Sequence, residues 1–168
     1  RENGFSAVPT GFFLSGQPKS APIDSLALLA RHKAFIESLR PQLYSPKPDS
    51  IRLFAQYRTR LCAQLATMAN EIGVLLAAQN HVEEAADLFA QSETLAPDNL
   101  SLLLNRYHLA ANLGVHAESL SVLENRLNGI PRLRNTFTLN LTGLQAESGT
   151  LINPDTLEYV RKTYWTKT

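Results

Sequence analysis

Pro97 and Pro131 stand 34 residues apart, and the residues ahead of them keep that interval. Phe89 falls onto Leu123, Ala85 onto Ser119 and Leu76 onto Ala110. A period of this length, filled by two short helical stretches, builds helical hairpins that must stack, because none of them buries its apolar face alone. The interval therefore points to an all-α chain.

The rest of the chain is read outward from that repeat. Residues 1–22 carry Gly4, Pro9, Gly11, Gly16, Pro18 and Pro22, a density of breakers that opposes regular structure. Phe5, Phe12, Phe13 and Leu14 nevertheless make the stretch apolar, which fits an extended N-terminal arm packed on a helical body. Asp24 or Ser25 caps a helix to Arg40, striped by Leu26, Leu29, Lys33, Ile36 and Leu39, and Pro41 and Pro46-Lys47-Pro48 mark its end. From Ile51 to Gln79 only Gly73 interrupts the helical pattern. That length predicts a spine of about 45 Å. Its first half would pack on 24–40 and its second half would open the repeats.

Helices follow over 82–95, 99–113 (stopped by Gly114) and 116–128 (stopped by Gly129). Past Pro131 the register weakens but persists: Leu141 and Leu144 fall 34 residues after Tyr107 and Ala110, and Phe137 after Leu103. Asn153-Pro154-Asp155 opens a last helix toward Trp165. A β-hairpin through Thr136–Leu141, where apolar and polar residues alternate, is the rival for this region.

Ile72-Gly73, Ala85, Phe89 and Pro97, with Leu76 between them, resemble the tetratricopeptide repeat consensus. Ala69 stands where that family carries Trp, Leu76 where it carries Tyr, and Ser92 where it carries a second Ala. The second unit departs further, with Arg106-Tyr107 in place of the Leu-Gly pair and Ser119 in place of Ala, which predicts a wider or shifted hairpin. The resemblance implies a short right-handed α-solenoid. Its parts would be an arm (1–22), an N-terminal helical hairpin running into the first repeat helix (23–65), repeats over 66–99 and 100–131, and a degenerate third hairpin with C-terminal cap (132–168). Gly73 and Ala85 would be small because paired helices cross closely there.

The resemblance also implies a concave binding face made by the first helix of each repeat. It would present Thr67, Asn70, Val74 and Ala78 from the first unit and Ser101, Asn105, His108 and Asn112 from the second. Asparagine amides at such positions can bond the backbone of an extended peptide. Some members of the family hold a terminal carboxylate with Lys, Arg and Asn, but no Lys or Arg lies between Arg60 and Arg106. A neutral, apolar or basic partner segment is the better match.

Charge is unevenly spread. Residues 1–60 hold nine Lys/Arg against four acids, 61–105 hold six acids and no Lys or Arg, and 106–168 hold seven bases against five acids. No basic stripe with interleaved aromatics speaks for nucleic acid. No apolar run approaches the eighteen or so residues that span a bilayer. Cys62, the single cysteine, excludes an internal disulfide and reads as a small core residue.

No catalytic, cofactor or metal motif is present. Asn80-His81-Val82-Glu83-Glu84 lacks the second histidine of a helical zinc site, and its acids suit a helix start. The expected function is thus a non-enzymatic protein- or peptide-binding scaffold. The alternative is an accessory domain of a larger protein, for instance a membrane-embedded transferase, because Arg1-Glu2-Asn3-Gly4 reads as the middle of a longer chain. Phe12-Phe13-Leu14 would fill a groove of the same chain or of a second copy, giving a route to self-association.

Overall fold

The structure, a computed structural model, describes residues 5–10, 13–18, 22–43, 52–130 and 140–165. Pro131, Phe137 and most of the rival β-hairpin lie outside them.

Asp24 opens the helical body by accepting the Ala27 N–H on its carboxylate at 2.9 Å. Helix α1 (Ser25–Leu43) then runs two residues past Pro41. The proline cannot donate to the Glu37 carbonyl, and burial of Leu43 offsets part of the cost. Helix α2 spans Arg52–Ala78. Ser25 Oγ donates to Gln79 Oε1 at 2.5 Å, so α1 begins where α2 ends and the two run antiparallel.

Asn80 takes a left-handed φ of 66°, letting His81 N–H reach the Leu76 carbonyl at 2.9 Å and turning the chain into α3 (Val82–Ser92). Asn99 caps α4 (Leu100–Leu113) through Leu102 N–H at 3.0 Å, and Gly114 closes it at φ 71°. A 3-10 turn over Ala117–Ser119 replaces the first turn expected of the next helix, α5 (Leu120–Gly129). Asn140 caps α6 (Leu141–Ser148), and α7 (Asp155–Val160) continues as a π-type turn to Trp165.

Two strands precede the helices, β1 (Phe5–Thr10) and β2 (Phe13–Pro18), paired antiparallel. The breakers thus do not prevent regular structure. Every strand of a two-stranded ribbon has a free edge, where a residue without N–H is tolerated. The backbone of β1 lies against α1 and α2. Phe12 and the side chains of the arm lie outside the described residues.

Every further regular element among the described residues is helical. Consecutive helices α1 to α5 pack in turn, and α4 also meets α2, α6 and α7. From this central place α4 feeds two cores: Leu102 and Leu109 enter one with Ile72, Leu76 and Phe89, while Leu103, Leu104 and Tyr107 enter another with Leu123, Leu144 and Leu157. Gly73 lies directly under Phe89, whose ring leaves no room for a side chain there. Tyr107 turns toward the C-terminal turns, stacked on Tyr159 at 6.3 Å and edge-on to Tyr164 at 6.4 Å.

Two expectations need correction. Cys62 is half-buried and not a core residue, and burial still raises its thiol pKa. Ala55–Ala78 of α2, with mean hydropathy 1.4, is long and apolar enough to cross a membrane by length and composition. Gln64, Thr67, Asn70 and Glu71 interrupt its apolar run, which hid this in the sequence. Its buried residues, among them Leu65, Ala69 and Leu76, are covered by protein in this fold.

Glu93 pairs with both Arg106 and Arg126, and Arg126 also donates to the Pro97 carbonyl. One carboxylate thereby ties the α3–α4 turn to α4 and α5. Glu93→Gln leaves two half-buried guanidinium groups facing each other, and the expected loss is about 2 kcal/mol in urea unfolding. A loss of no more than roughly 0.5 kcal/mol, that of an exposed pair, would speak against this account.

His32 is 4% exposed, and neither ring nitrogen has a partner. Burial lowers its pKa from 6.5 to about 4. The unfolded chain therefore binds a proton near pH 6.5 that the folded chain refuses until about 4. Stability is complete above 6.5 and falls as the pH drops through this window. Between neutral pH and a pH of about 5 the expected loss is about 2 kcal/mol. His32→Phe should flatten that part of the stability–pH curve.

Candidate functional site

Helices α2 and α4 lie side by side, which brings together asparagines that are 35 residues apart. Asn105 Nδ2 donates to Asn70 Oδ1 at 2.8 Å. Both amides also converge on a single main-chain carbonyl, that of Thr150, at 2.8 Å from Asn70 and 2.9 Å from Asn105. Asn105 Oδ1 accepts the Ile152 N–H at 2.8 Å, and Ser101 Oγ donates to the Gly149 carbonyl at 2.6 Å.

Glu71 completes the clamp. Its carboxylate takes the Thr150 N–H at 2.7 Å on one oxygen and the Thr150 hydroxyl at 2.9 Å on the other. Residues 149–152 are therefore held mainly through their backbone. Asn70, Ser101 and Asn105 are at most 1% exposed. Both donor hydrogens of Asn105 are used, so its burial carries no unpaired-donor cost. Leu151 enters the core around Leu103 and Tyr107, and Ile152 packs on the core around Phe89, so the segment bridges the two.

Gly149 is the residue that makes the fit possible. Its φ of 101° lies where side chains are strained, and a Cβ there would stand 2.6 Å from Asn70 Nδ2 and 2.7 Å from a Glu71 carboxylate oxygen.

Of the eight residues expected on the concave face, three grip this segment: Asn70, Ser101 and Asn105. They meet peptide backbone, but it is the chain's own C-terminal stretch, so their surface is not open to solvent. It is this stretch that fills the groove between α2 and α4. His108 is half-buried and lies one step along: its Nδ1 is 3.2 Å from the Thr156 hydroxyl and 3.1 Å from the Asn112 amide nitrogen. An amide nitrogen only donates, so Nδ1 accepts and the proton sits on Nε2, consistent with burial lowering the His108 pKa. Asn112 is exposed. Thr67 spends its hydroxyl on the Ala63 carbonyl one turn back at 3.1 Å, Val74 packs against the core, and Ala78 is exposed. None of these three joins the clamp.

Beyond Asn112 the groove opens into a cavity of about 320 Å³ shared by Tyr107, Asn153, Thr156 and Tyr159. Sequence reasoning missed Glu71, although it is the lone Asp, Glu, Lys or Arg between Arg60 and Glu83. Gly149 and Thr150 gave no such signal. Among the described residues no three His, Cys, Asp or Glu side chains gather as metal ligands. The chain matches no family model, no curated protein and no solved structure in the three comparisons made.

Proposed function

We propose that this chain is a non-enzymatic interaction module of tetratricopeptide-like hairpins that grips extended peptide along its α2–α4 face. The observation carrying this reading is the convergence of Asn70 and Asn105 on one backbone carbonyl. Such a contact recognises main chain whatever the side chain, as a peptide groove must. Three further features support the repeat reading: the tight Gly73–Phe89 crossing, the contact of α2 with α4, and the turn at Pro97. The held segment, Gly149-Thr150-Leu151-Ile152, is neutral and largely apolar, the chemistry expected of a partner. A partner peptide would enter by displacing it or would extend it into the cavity beside Asn112 and Tyr159.

The test uses the full chain carrying Gly149→Val, in which the internal segment no longer fits. A synthetic peptide spanning residues 146–156 should bind this variant saturably and restore part of its lost thermal stability. It should bind the unaltered chain at least about tenfold more weakly, because the groove is already filled. Failure to bind a folded Gly149→Val chain would overturn the groove as a peptide site. Binding undiminished by Asn70→Ala together with Asn105→Ala would do the same.

A further inference from the structure

The prolines of the N-terminal ribbon reveal which of its main-chain groups are already used. Strands β1 and β2 face each other one to one from Phe5↔Pro18 to Thr10↔Phe13. Facing residues of an antiparallel pair alternate between pairs that exchange both N–H···O bonds and pairs that exchange none. Pro9 faces Leu14 and Pro18 faces Phe5, and a proline has no N–H to exchange. Both prolines fall in the same alternate set, so Phe5↔Pro18, Ala7↔Gly16 and Pro9↔Leu14 exchange none. The bonds run through Ser6↔Gln17, Val8↔Ser15 and Thr10↔Phe13.

The main-chain groups of Leu14 and Gly16 therefore point away from β1, each offering one N–H and one C=O at the outer edge of β2. Among the described residues no third strand follows β2. It is β1 whose backbone lies against α1 and α2. Sheet edges are ordinarily guarded by a charge, a proline or a bulge. Phe13-Leu14-Ser15-Gly16-Gln17 has no charge and no proline, and its one-to-one register has no bulge. Pro18 guards only the last position.

We propose that β2 pairs antiparallel with β2 of a second copy about a two-fold axis at Ser15, joining two ribbons into one four-stranded sheet. Leu14 of each copy then faces Gly16 of the other, and the two pairs exchange four main-chain hydrogen bonds with no donor or acceptor among them left over. An axis at Gly16 would set Pro18 against Leu14 and leave the Leu14 carbonyl without a donor, so the proline fixes the register. A neutral strand meets its own copy without like-charge opposition. The arrangement also closes on itself: each β1 lies outermost beside its own α1 and α2, and no β2 edge remains to recruit a third copy. A single foreign strand would make a three-stranded sheet whose new edge is open in turn. A two-stranded ribbon is marginal alone, whereas four strands support one another.

The full chain, followed by sedimentation equilibrium, should dimerise with a Kd of about 0.1 mM, as suits a small contact. Amide exchange locates that contact. The Leu14 and Gly16 amides should exchange about threefold more slowly at about 1 mM chain than at about 0.01 mM. Those of Phe13, Ser15 and Gln17 should be protected alike at both concentrations. Leu14→Pro removes an outward N–H at a position of the kind that Pro9 and Pro18 already occupy, so the ribbon keeps its own bonds. It should weaken dimerisation about tenfold or more, while Ala7→Pro, the same change on β1, should leave it intact. In a Cys62→Ser background Ser15→Cys should cross-link two copies, because facing residues of this kind stand about 4.5 Å apart at Cα, within disulfide range, and Gln17→Cys should not. A chain still monomeric at about 1 mM would overturn the proposal. So would a dimer in which the Leu14 and Gly16 amides exchange freely, because the copies then meet elsewhere. Protection of both amides at every concentration would overturn it too, since the chain's own residues would then cover the edge.

Discussion

Gly149→Val is expected to lower stability by about 4 kcal/mol. Two costs add. A β-branched residue at φ 101° is strained by about 1–3 kcal/mol. Its Cβ also meets Asn70 Nδ2 and the Glu71 carboxylate at 2.6 and 2.7 Å, so the clamp must open or distort. The buried amides of Asn70 and Asn105 then lose bonds to the Thr150 carbonyl, each worth about 1 kcal/mol net and more if the group is left unpaired. A double-mutant cycle in urea tests the attribution. In an Asn70→Ala background the Gly149→Val cost should fall by about 1 kcal/mol or more, because one of the two obstacles is gone. Strict additivity would assign the whole cost to backbone strain and leave the clamp without energetic weight.

Gly73→Ala is expected to cost about 3 kcal/mol, despite alanine being the better helix former by about 1 kcal/mol. The new methyl would sit 2.1 Å from a Phe89 ring carbon, with two more ring atoms inside 3 Å. Phe89 is wholly buried between α2 and α3, so its ring has nowhere to retreat. A fall in melting temperature of roughly 6–12 °C is the corresponding readout for a chain of this size. Phe89→Leu should rescue part of the Gly73→Ala loss by vacating the ring's outer atoms. If Gly73→Ala melts at or above the unaltered chain, the close crossing is not what this glycine provides.

These two glycines also mark what could be read from the residues. Gly73 was legible because helical periodicity runs unbroken through it and a large aromatic recurs on the facing helix. A glycine that no turn requires has a packing reason. The caps at Asn99 and Gly114 were legible for the same local cause, since each acts within five residues of itself, whereas the cap at Asn140 was not read. Gly149 was not legible, because what it avoids comes from α2, almost 80 residues earlier. The face carrying Asn70, Ser101 and Asn105 followed from the repeat register, and so did the affinity of its amides for backbone. What fills it did not follow, since Gly149-Thr150-Leu151-Ile152 reads as an ordinary interhelical loop until the clamp is seen. The paired N-terminal strands were missed because Pro and Gly counts say nothing about whether the missing N–H groups are needed. Glu71 lay between these cases: its isolation in an uncharged stretch was visible, its partner was not.

The clamp has a consequence for how the protein is made. Thr150 follows Asn105 by 45 residues and Glu71 by 79. At about 5–20 residues per second, a ribosome needs roughly 2–9 s to cover the shorter interval, which begins once α4 has supplied Asn105. Helix pairs such as α2–α3 close within milliseconds. Each nascent copy therefore passes through an interval in which the receptive face is assembled and its natural occupant has not yet been synthesised. During those seconds any neighbouring extended strand of suitable chemistry meets a groove that the finished molecule keeps to itself.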